Sequence, residues 1–248
     1  MTTTLRPAAV AGSWYPGTAA ALTAEVDQYL EAAGDVSAPG RLVALVSPHA
    51  GLRYSGPVAA YGYRLLQGRS PLTVILVGPS HRAAFEGVAI HARGAWETPL
   101  GRALIDEGVA GLLLGASSRI VEHPDVHWDE HSLEMQMPFL QHVVPELRIV
   151  PLMMGDQSRQ EVDDLAEALS EVLAGREDVV LVASSDLSHY QPANIANRQD
   201  AIVVEQVEHL DGAGLMRRLE THHNVACGGG PVVAVMKAAQ ALGANQAT

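Results

Sequence analysis

The sequence predicts an α/β fold with a mostly parallel central sheet covered by helices, and three observations carry that reading. Apolar runs suited to strands alternate along the chain with segments of helical periodicity. The runs at 43–46, 74–77 and 179–183 are nearly continuous in Val, Ile and Leu, without the alternation of a half-exposed strand, which indicates burial on both faces. Each run leads into a short polar turn carrying a histidine: Ser47-Pro48-His49-Ala50-Gly51, Gly78-Pro79-Ser80-His81 and Ser184-Ser185-Asp186-Leu187-Ser188-His189. Open parallel sheets gather ligands and catalytic groups outside the carboxyl ends of their strands, so the three histidines can converge although they are far apart in sequence.

Taken in order, the elements follow from spacing and punctuation. After Trp14-Tyr15-Pro16-Gly17, residues 19–33 are rich in Ala and Leu, with Leu22, Val26 and Leu30 four apart on one helical face and Gly34 as the stop. A strand at 42–46 leads through His49 to a helix near 58–67, and a strand at 72–77 leads to His81, about one βαβ unit of roughly 30 residues beyond His49. Residues 132–143 and 159–173 read as helices with a strand at 148–153 between them, Pro138 marking a kink or an early helical turn. A strand at 179–183 gives the third turn, and helices near 201–210 and 232–242 complete the pattern. No repeat, low-complexity tract or linker interrupts it, and residues 1–248 are expected to form a single domain.

Composition narrows the function classes. Sixteen Lys and Arg against twenty-eight Asp and Glu give 16 − 28 = −12, a balance that repels phosphate backbones and anionic bilayers, so neither nucleic acid nor a membrane is an expected partner. The hydrophobic fraction of 48% suits a full core, yet no stretch approaches the roughly 18 uninterrupted apolar residues of a membrane span. The N-terminal Met1-Thr2-Thr3-Thr4-Leu5-Arg6-Pro7 lacks the basic segment and apolar run of a secretion signal. One cysteine permits no internal disulfide, and a reducing, cytoplasmic setting is expected.

Core packing gives no reason to end several buried strands with imidazole, so His49, His81 and His189 together point to a metal site, to acid–base chemistry, or to both. Asp186 stands three residues before His189, placed to orient that imidazole or to cap the following segment. His127 and His131 are spaced i and i+4, but the His-Glu-x-x-His of zinc proteases is absent. Residues 128–130 read instead as a loop feeding the helix of Leu133, Met137 and Leu140, capped by Asp129 or Ser132, with Glu130 and His131 reaching the pocket from that loop. Cys227 precedes Gly228-Gly229-Gly230-Pro231 and an apolar helix. With Pro231 at the first helical position, the thiol lies near a helix N-terminus, where the dipole favours thiolate. A thiolate with two imidazoles selects iron, copper or zinc over magnesium or calcium, and ligand type alone does not separate these three.

Together, Arg6-Pro7, Ala11-Gly12-Ser13-Trp14-Tyr15-Pro16, the three histidine turns, Tyr54-Ser55-Gly56, Trp96-Glu97-Thr98-Pro99-Leu100-Gly101, Glu130-His131-Ser132-Leu133-Glu134, Pro138-Phe139-Leu140 and Cys227-Gly228 resemble the Memo family. Its bacterial and archaeal members are called AmmeMemoRadiSam system protein B. The resemblance runs from about Arg6 to Cys227 and implies a fold similar to class III extradiol dioxygenases, non-haem iron enzymes that cleave aromatic diol rings. It implies His49 and His81 as metal-binding histidines, Cys227 where the dioxygenases use a carboxylate, and His189 as the acid–base histidine, oriented by Asp186. Fe(II) is the first expectation, with copper or zinc as alternatives. A thiolate is softer and donates more charge than a carboxylate, so the chemistry need not remain ring cleavage. The implied function is a metal-dependent, oxidoreductase-like protein; the alternatives are a non-catalytic peptide- or metal-binding protein using the same pocket, and a zinc hydrolase. Expected partners are a small-molecule substrate or peptide in the pocket, an AMMECR1-type protein and a radical-SAM protein. The resemblance also implies a further strand-rich segment after the helix that follows Cys227, where this sequence stops at Thr248, giving the expectation of a shortened C-terminus or a pocket lacking one wall.

Overall fold

The computed structural model describes residues 4–222 and 224–248. Its strands are β1 (Leu5–Arg6), β2 (Ala44–Ser47), β3 (Leu72–Pro79), β4 (Val88–Ile90), β5 (Ala95–Thr98), β6 (Gly101–Ile105), β7 (Ile120–Glu122), β8 (Leu147–Met154) and β9 (Val179–Ser184). They form one sheet in the order β1-β5-β6-β8-β3-β9-β2, with β4 against β8 and β7 against β4. The pairings are parallel except for β5 with β6 and β4 with β8. The architecture is therefore α/β with a mostly parallel sheet.

Eight α-helices accompany it among the described residues: α1 (Ala19–Ala33), α2 (Leu52–Arg64), α3 (Glu107–Ala116), α4 (Met137–Val143), α5 (Arg159–Leu173), α6 (Ala193–Glu208), α7 (Gly212–Thr221) and α8 (Gly229–Ala241). Helices α1, α2 and α4 pack together; α8 packs against α5, α7 and strands β2, β3 and β9. Every residue of β3 and of β9 is buried. Successive side chains of a strand point to opposite faces, so the centre of the sheet is covered on both sides, as the runs at 74–77 and 179–183 require. The expectation for the run at 43–46 is corrected, because β2 lies at the end of the sheet, where Ala44 and Leu45 are half-buried and Val46 is 44% exposed. No described helix is long and apolar enough to cross a membrane.

The register positions the site. Val77 of β3 pairs with Ala183 of β9, and Ser47 of β2 pairs with Ser184 of β9, so the carboxyl ends of the three strands lie level and side by side. Helix α5 coincides with the expected 159–173, its N-cap Ser158 accepting from the Glu161 amide. Four local expectations need correction. Helix α2 begins at Leu52 instead of 58 and carries Pro57 inside it. The Pro57 ring removes one donor from a helix that the neighbouring elements hold regardless. Helix α6 begins at Ala193 instead of 201, and α8 at Gly229, which makes Pro231 its third residue, still in the first turn where amides lack helical partners. The 132–143 segment divides into a 3-10 turn, Glu134–Gln136, followed by α4, with Pro138 in the first helical turn. Neither Asp129 nor Ser132 caps it: no side chain caps either piece, and the Ser132 hydroxyl donates instead to the Pro79 carbonyl at the end of β3.

Candidate metal centre

The three strand ends bring His49, His81 and Asp186 to one edge of the sheet, and the chain returns through Cys227 to meet them. His49 is 1% exposed in the turn after β2. Its environment decides its tautomer. The Ser184 hydroxyl donates its single proton to the Ser132 carbonyl at 2.6 Å and accepts from the Gln136 side-chain amide at 2.8 Å. The remaining partner, His49 Nδ1 at 2.8 Å, must therefore donate to Ser184. Nε2 is thus the nitrogen turned to the site, facing Cys227 Sγ at 3.1 Å, where it shares a proton with the thiol or can offer a lone pair to a metal.

His81 repeats the arrangement with a carboxylate. Glu130 accepts from the His81 amide at 2.6 Å, from its Nδ1 at 3.0 Å, and from the amides of His131 and Ser132 at 2.9 Å each. Burial by itself would raise the Glu130 pKa, but the bonds from His81 and Ser132 hold it down at about 2. An ionised Glu130 fixes a proton on His81 Nδ1, so Nε2 is the nitrogen that can give up its proton to a metal. Imidazoles whose second nitrogen donates to an oxygen acceptor are the usual form of metal-ligating histidine.

Cys227 reaches this point because the backbone before α8 presses against the end of β9. Its amide donates to the Asp186 carbonyl at 3.2 Å, the Asp186 amide points at Sγ at 3.3 Å, and the Gly228 amide donates to Ser185 Oγ at 3.0 Å. A Cβ on Gly228 would collide with the Ser184 carbonyl, so only glycine permits the approach. Burial would raise the thiol pKa, yet the imidazoles of His49, His81 and His189 around it bring it down to about 5. The hydrogen bond with Cys227, then that with Glu130, raises His81 to about 9. The cluster thus stabilises a thiolate with a compensating proton shared among imidazoles, and a cation can take that proton's place.

Two donor groups overlap at His49. One ligand atom each from His49, His81 and His131 lie within 4.8 Å of one another, and the same holds for His49, Asp186 and Cys227. Nδ1 atoms committed to oxygen partners, Nε2 atoms left to release a proton to a cation, and a lowered thiol make the residues present a fit for a borderline or soft metal ion.

Other expected residues fall differently. Asp186 Oδ1 accepts from the amides of His49 and Ala50 at 2.7 and 3.2 Å, tying the β2 turn to the β9 turn. It neither orients His189 by a hydrogen bond among the described residues nor caps α6, because the β2 turn lies closer than either. His189 is exposed at the edge of the cluster. His131 is buried beside Glu130, with its ring stacked 4.7 Å from that of His81 and tilted at 47° to that of Trp14, 4.3 Å away. Burial lowers its pKa to about 4, which leaves it neutral. His127, its sequence neighbour at i−4, packs instead against His91 and Trp96, with ring centroids 6.0 and 5.7 Å away.

Sequence reasoning missed the groups that hold the site. Arg6, 1% exposed, donates to Glu134 at 2.6 Å, to the carbonyls of His127 and Glu130 at 2.7 Å each, and lies 4.2 Å over the Trp96 ring. Glu134 also accepts from the Tyr15 hydroxyl at 2.6 Å. This buried network braces the loop that carries Glu130 and His131. Its signal, an arginine and a glutamate in otherwise apolar surroundings, is too common to read without the contacts.

A sequence model of the family described as Memo-like protein matches residues 6–248. A MEMO1 family protein of Methanopyrus kandleri is 36% identical over 251 residues, which cover 97% of this chain and 89% of that protein. One of Thermoplasma volcanium is 35% identical, covering 97% and 88%. One of Ignicoccus hospitalis is 38% identical, covering 98% and 89%.

Proposed function

The chain belongs to the Memo family, and on that premise we propose that it is a metal-dependent, oxidoreductase-like protein related to extradiol dioxygenases, with His49, His81 and Cys227 as the metal-holding residues and Fe(II) or copper as the metal. The observation that carries the reading is the 3.1 Å approach of Cys227 Sγ to His49 Nε2, with the Nδ1 protons of both histidines committed to Ser184 and Glu130. A thiolate- and imidazole-held iron or copper ion supplies one-electron chemistry toward O2 when bound.

The chain's own groups have distinct tasks. Ser184 and Glu130 hold the imidazole tautomers, and Asp186 fixes the His49 backbone through two amide bonds. His189, exposed beside Cys227, moves a proton between the pocket and solvent. Trp14 packs against His131, with 4.3 Å between ring centroids. The acidic chain and its lone thiol suit a reducing, cytoplasmic setting. An AMMECR1-type protein and a radical-SAM protein remain partners proposed from family resemblance.

A second reading, a peptide-binding protein with the same pocket, is favoured by two exposed aromatics beside the His49 turn: Trp14 at 36% and Tyr54 at 75% exposure. Anaerobic loading with Fe(II) or Cu(I), elemental analysis and exposure to O2 separate the readings. The oxidoreductase reading predicts one metal per chain, oxidised by O2, and no uptake by His49→Ala. A parent that takes up neither metal contradicts it, and a parent active only as a zinc-loaded hydrolase without O2 replaces it with the hydrolase.

A further inference from the structure

Resting on that metal reading, we propose that His131 is a third imidazole donor, so that the centre is a three-histidine, one-cysteine set in which the metal keeps three nitrogen ligands when the thiolate is removed. The two donor groups share His49, so His81, His131 and Cys227 would all be within reach of a single ion held there. His131 is 9% exposed, and its Nδ1 is buried without a hydrogen-bond partner. Glu130 Oε1 is 3.2 Å away but outside hydrogen-bond geometry, and it already accepts from His81 Nδ1 and from the amides of His131 and Ser132. Buried imidazole nitrogens ordinarily have partners, and the His131 ring, which lacks one at Nδ1, brings a nitrogen within 4.8 Å of ligand atoms of His49 and His81. The His81 ring stacks on it at 4.7 Å and the Trp14 ring packs against it, tilted, at 4.3 Å, which restrains its orientation.

The chemistry follows from the donor types. Three imidazoles suit zinc, Fe(II) and Cu(II), while the thiolate adds affinity for Cu(I). Loss of Cys227 therefore changes which ion is preferred without emptying the site, and loss of His131 weakens binding of every ion.

Co(II) is the probe, titrated anaerobically against a competing chelator with thiolate-to-cobalt absorption as the readout. His131→Ala is expected to bind at least tenfold more weakly than the parent and to keep the thiolate band, since removing even an outer partner costs about 10–100-fold. Cys227→Ser is expected to retain Co(II) and lose the band, and the double variant to retain none. In parallel, Zn(II) is added to the parent labelled with 15N at histidine, which needs no substitution to fold; resonances of three rings, His49, His81 and His131, are expected to shift. Unchanged Co(II) affinity in His131→Ala, or shifts confined to His49 and His81, overturns the proposal while leaving the two-histidine, one-cysteine reading intact. A parent that binds neither probe overturns both.

Discussion

Cys227 Sγ lies 3.1 Å from His49 Nε2 although 178 residues separate them in sequence. Two backbone arrangements make the contact: the parallel pairing of β2 with β9, and the glycine-permitted approach of residue 228 to the end of β9. Everything proposed for the site depends on that pair sharing a proton that a metal ion can replace.

Ser184 is the first test, because it fixes the His49 proton. Ser184→Ala leaves His49 Nδ1, the Gln136 amide and the Ser132 carbonyl without their shared partner. The expected outcome is a loss of about 1–3 kcal/mol in urea unfolding and a loss of about 10–100-fold in metal affinity by chelator competition. Parental affinity would show that the tautomer does not matter.

Gly228→Ala tests the approach of the thiol. The new methyl group meets the Ser184 carbonyl, so Cys227 must retreat from His49. The prediction is a folded protein with a higher thiol pKa, read as slower alkylation by iodoacetamide at pH 6, because the imidazoles no longer stabilise the thiolate. Equal alkylation rates would place the cause of the lowered pKa elsewhere.

The buried Arg6–Glu134 pair tests the brace behind Glu130 and His131. Both side chains are 1% exposed or less. Arg6→Met leaves Glu134 charged and buried, and the expected cost is about 3–5 kcal/mol. Adding Glu134→Gln removes that stranded charge and should recover part of the loss in a double-mutant cycle. Strictly additive losses would deny the coupling.

Much of this was legible in the sequence, for identifiable reasons. Unbroken apolar runs ending in polar turns identify β2, β3 and β9 and place His49 and His81 at their ends, and the glycine run marks the helix start after Cys227. The strands from 88 to 122 were not legible: β4 and β7 have three residues each, and their strand state comes from pairing with each other and with β8. Asp186 looked like a partner for His189 because proximity in sequence is visible and proximity across strands is not; its carboxylate in fact serves the β2 turn.

Acid sensitivity follows from two histidines away from the metal centre and one carboxylate within it. Burial lowers His91 to about 4 and His127 to about 3, so both stay neutral when folded and take up protons near the ordinary 6.5 when unfolded. Glu130, held at about 2 when folded against an ordinary 4.5, acts in the same direction. The unfolded chain thus binds more protons throughout this range, and stability must fall as pH drops from about 6.5 through 3. Urea midpoints measured from pH 6.5 to pH 4 should decline, and His127→Phe should flatten the upper part of the decline. A midpoint independent of pH across that interval would contradict the assigned protonation states.

The central claim is that a metal ion bound here has sulfur and imidazole nitrogen as ligands, and X-ray absorption at the iron or copper edge of the anaerobically loaded protein tests it most directly. The account predicts one sulfur scatterer together with imidazole nitrogens, the sulfur vanishing in Cys227→Ser. A first shell of oxygen and nitrogen alone, unchanged by that substitution, would contradict it.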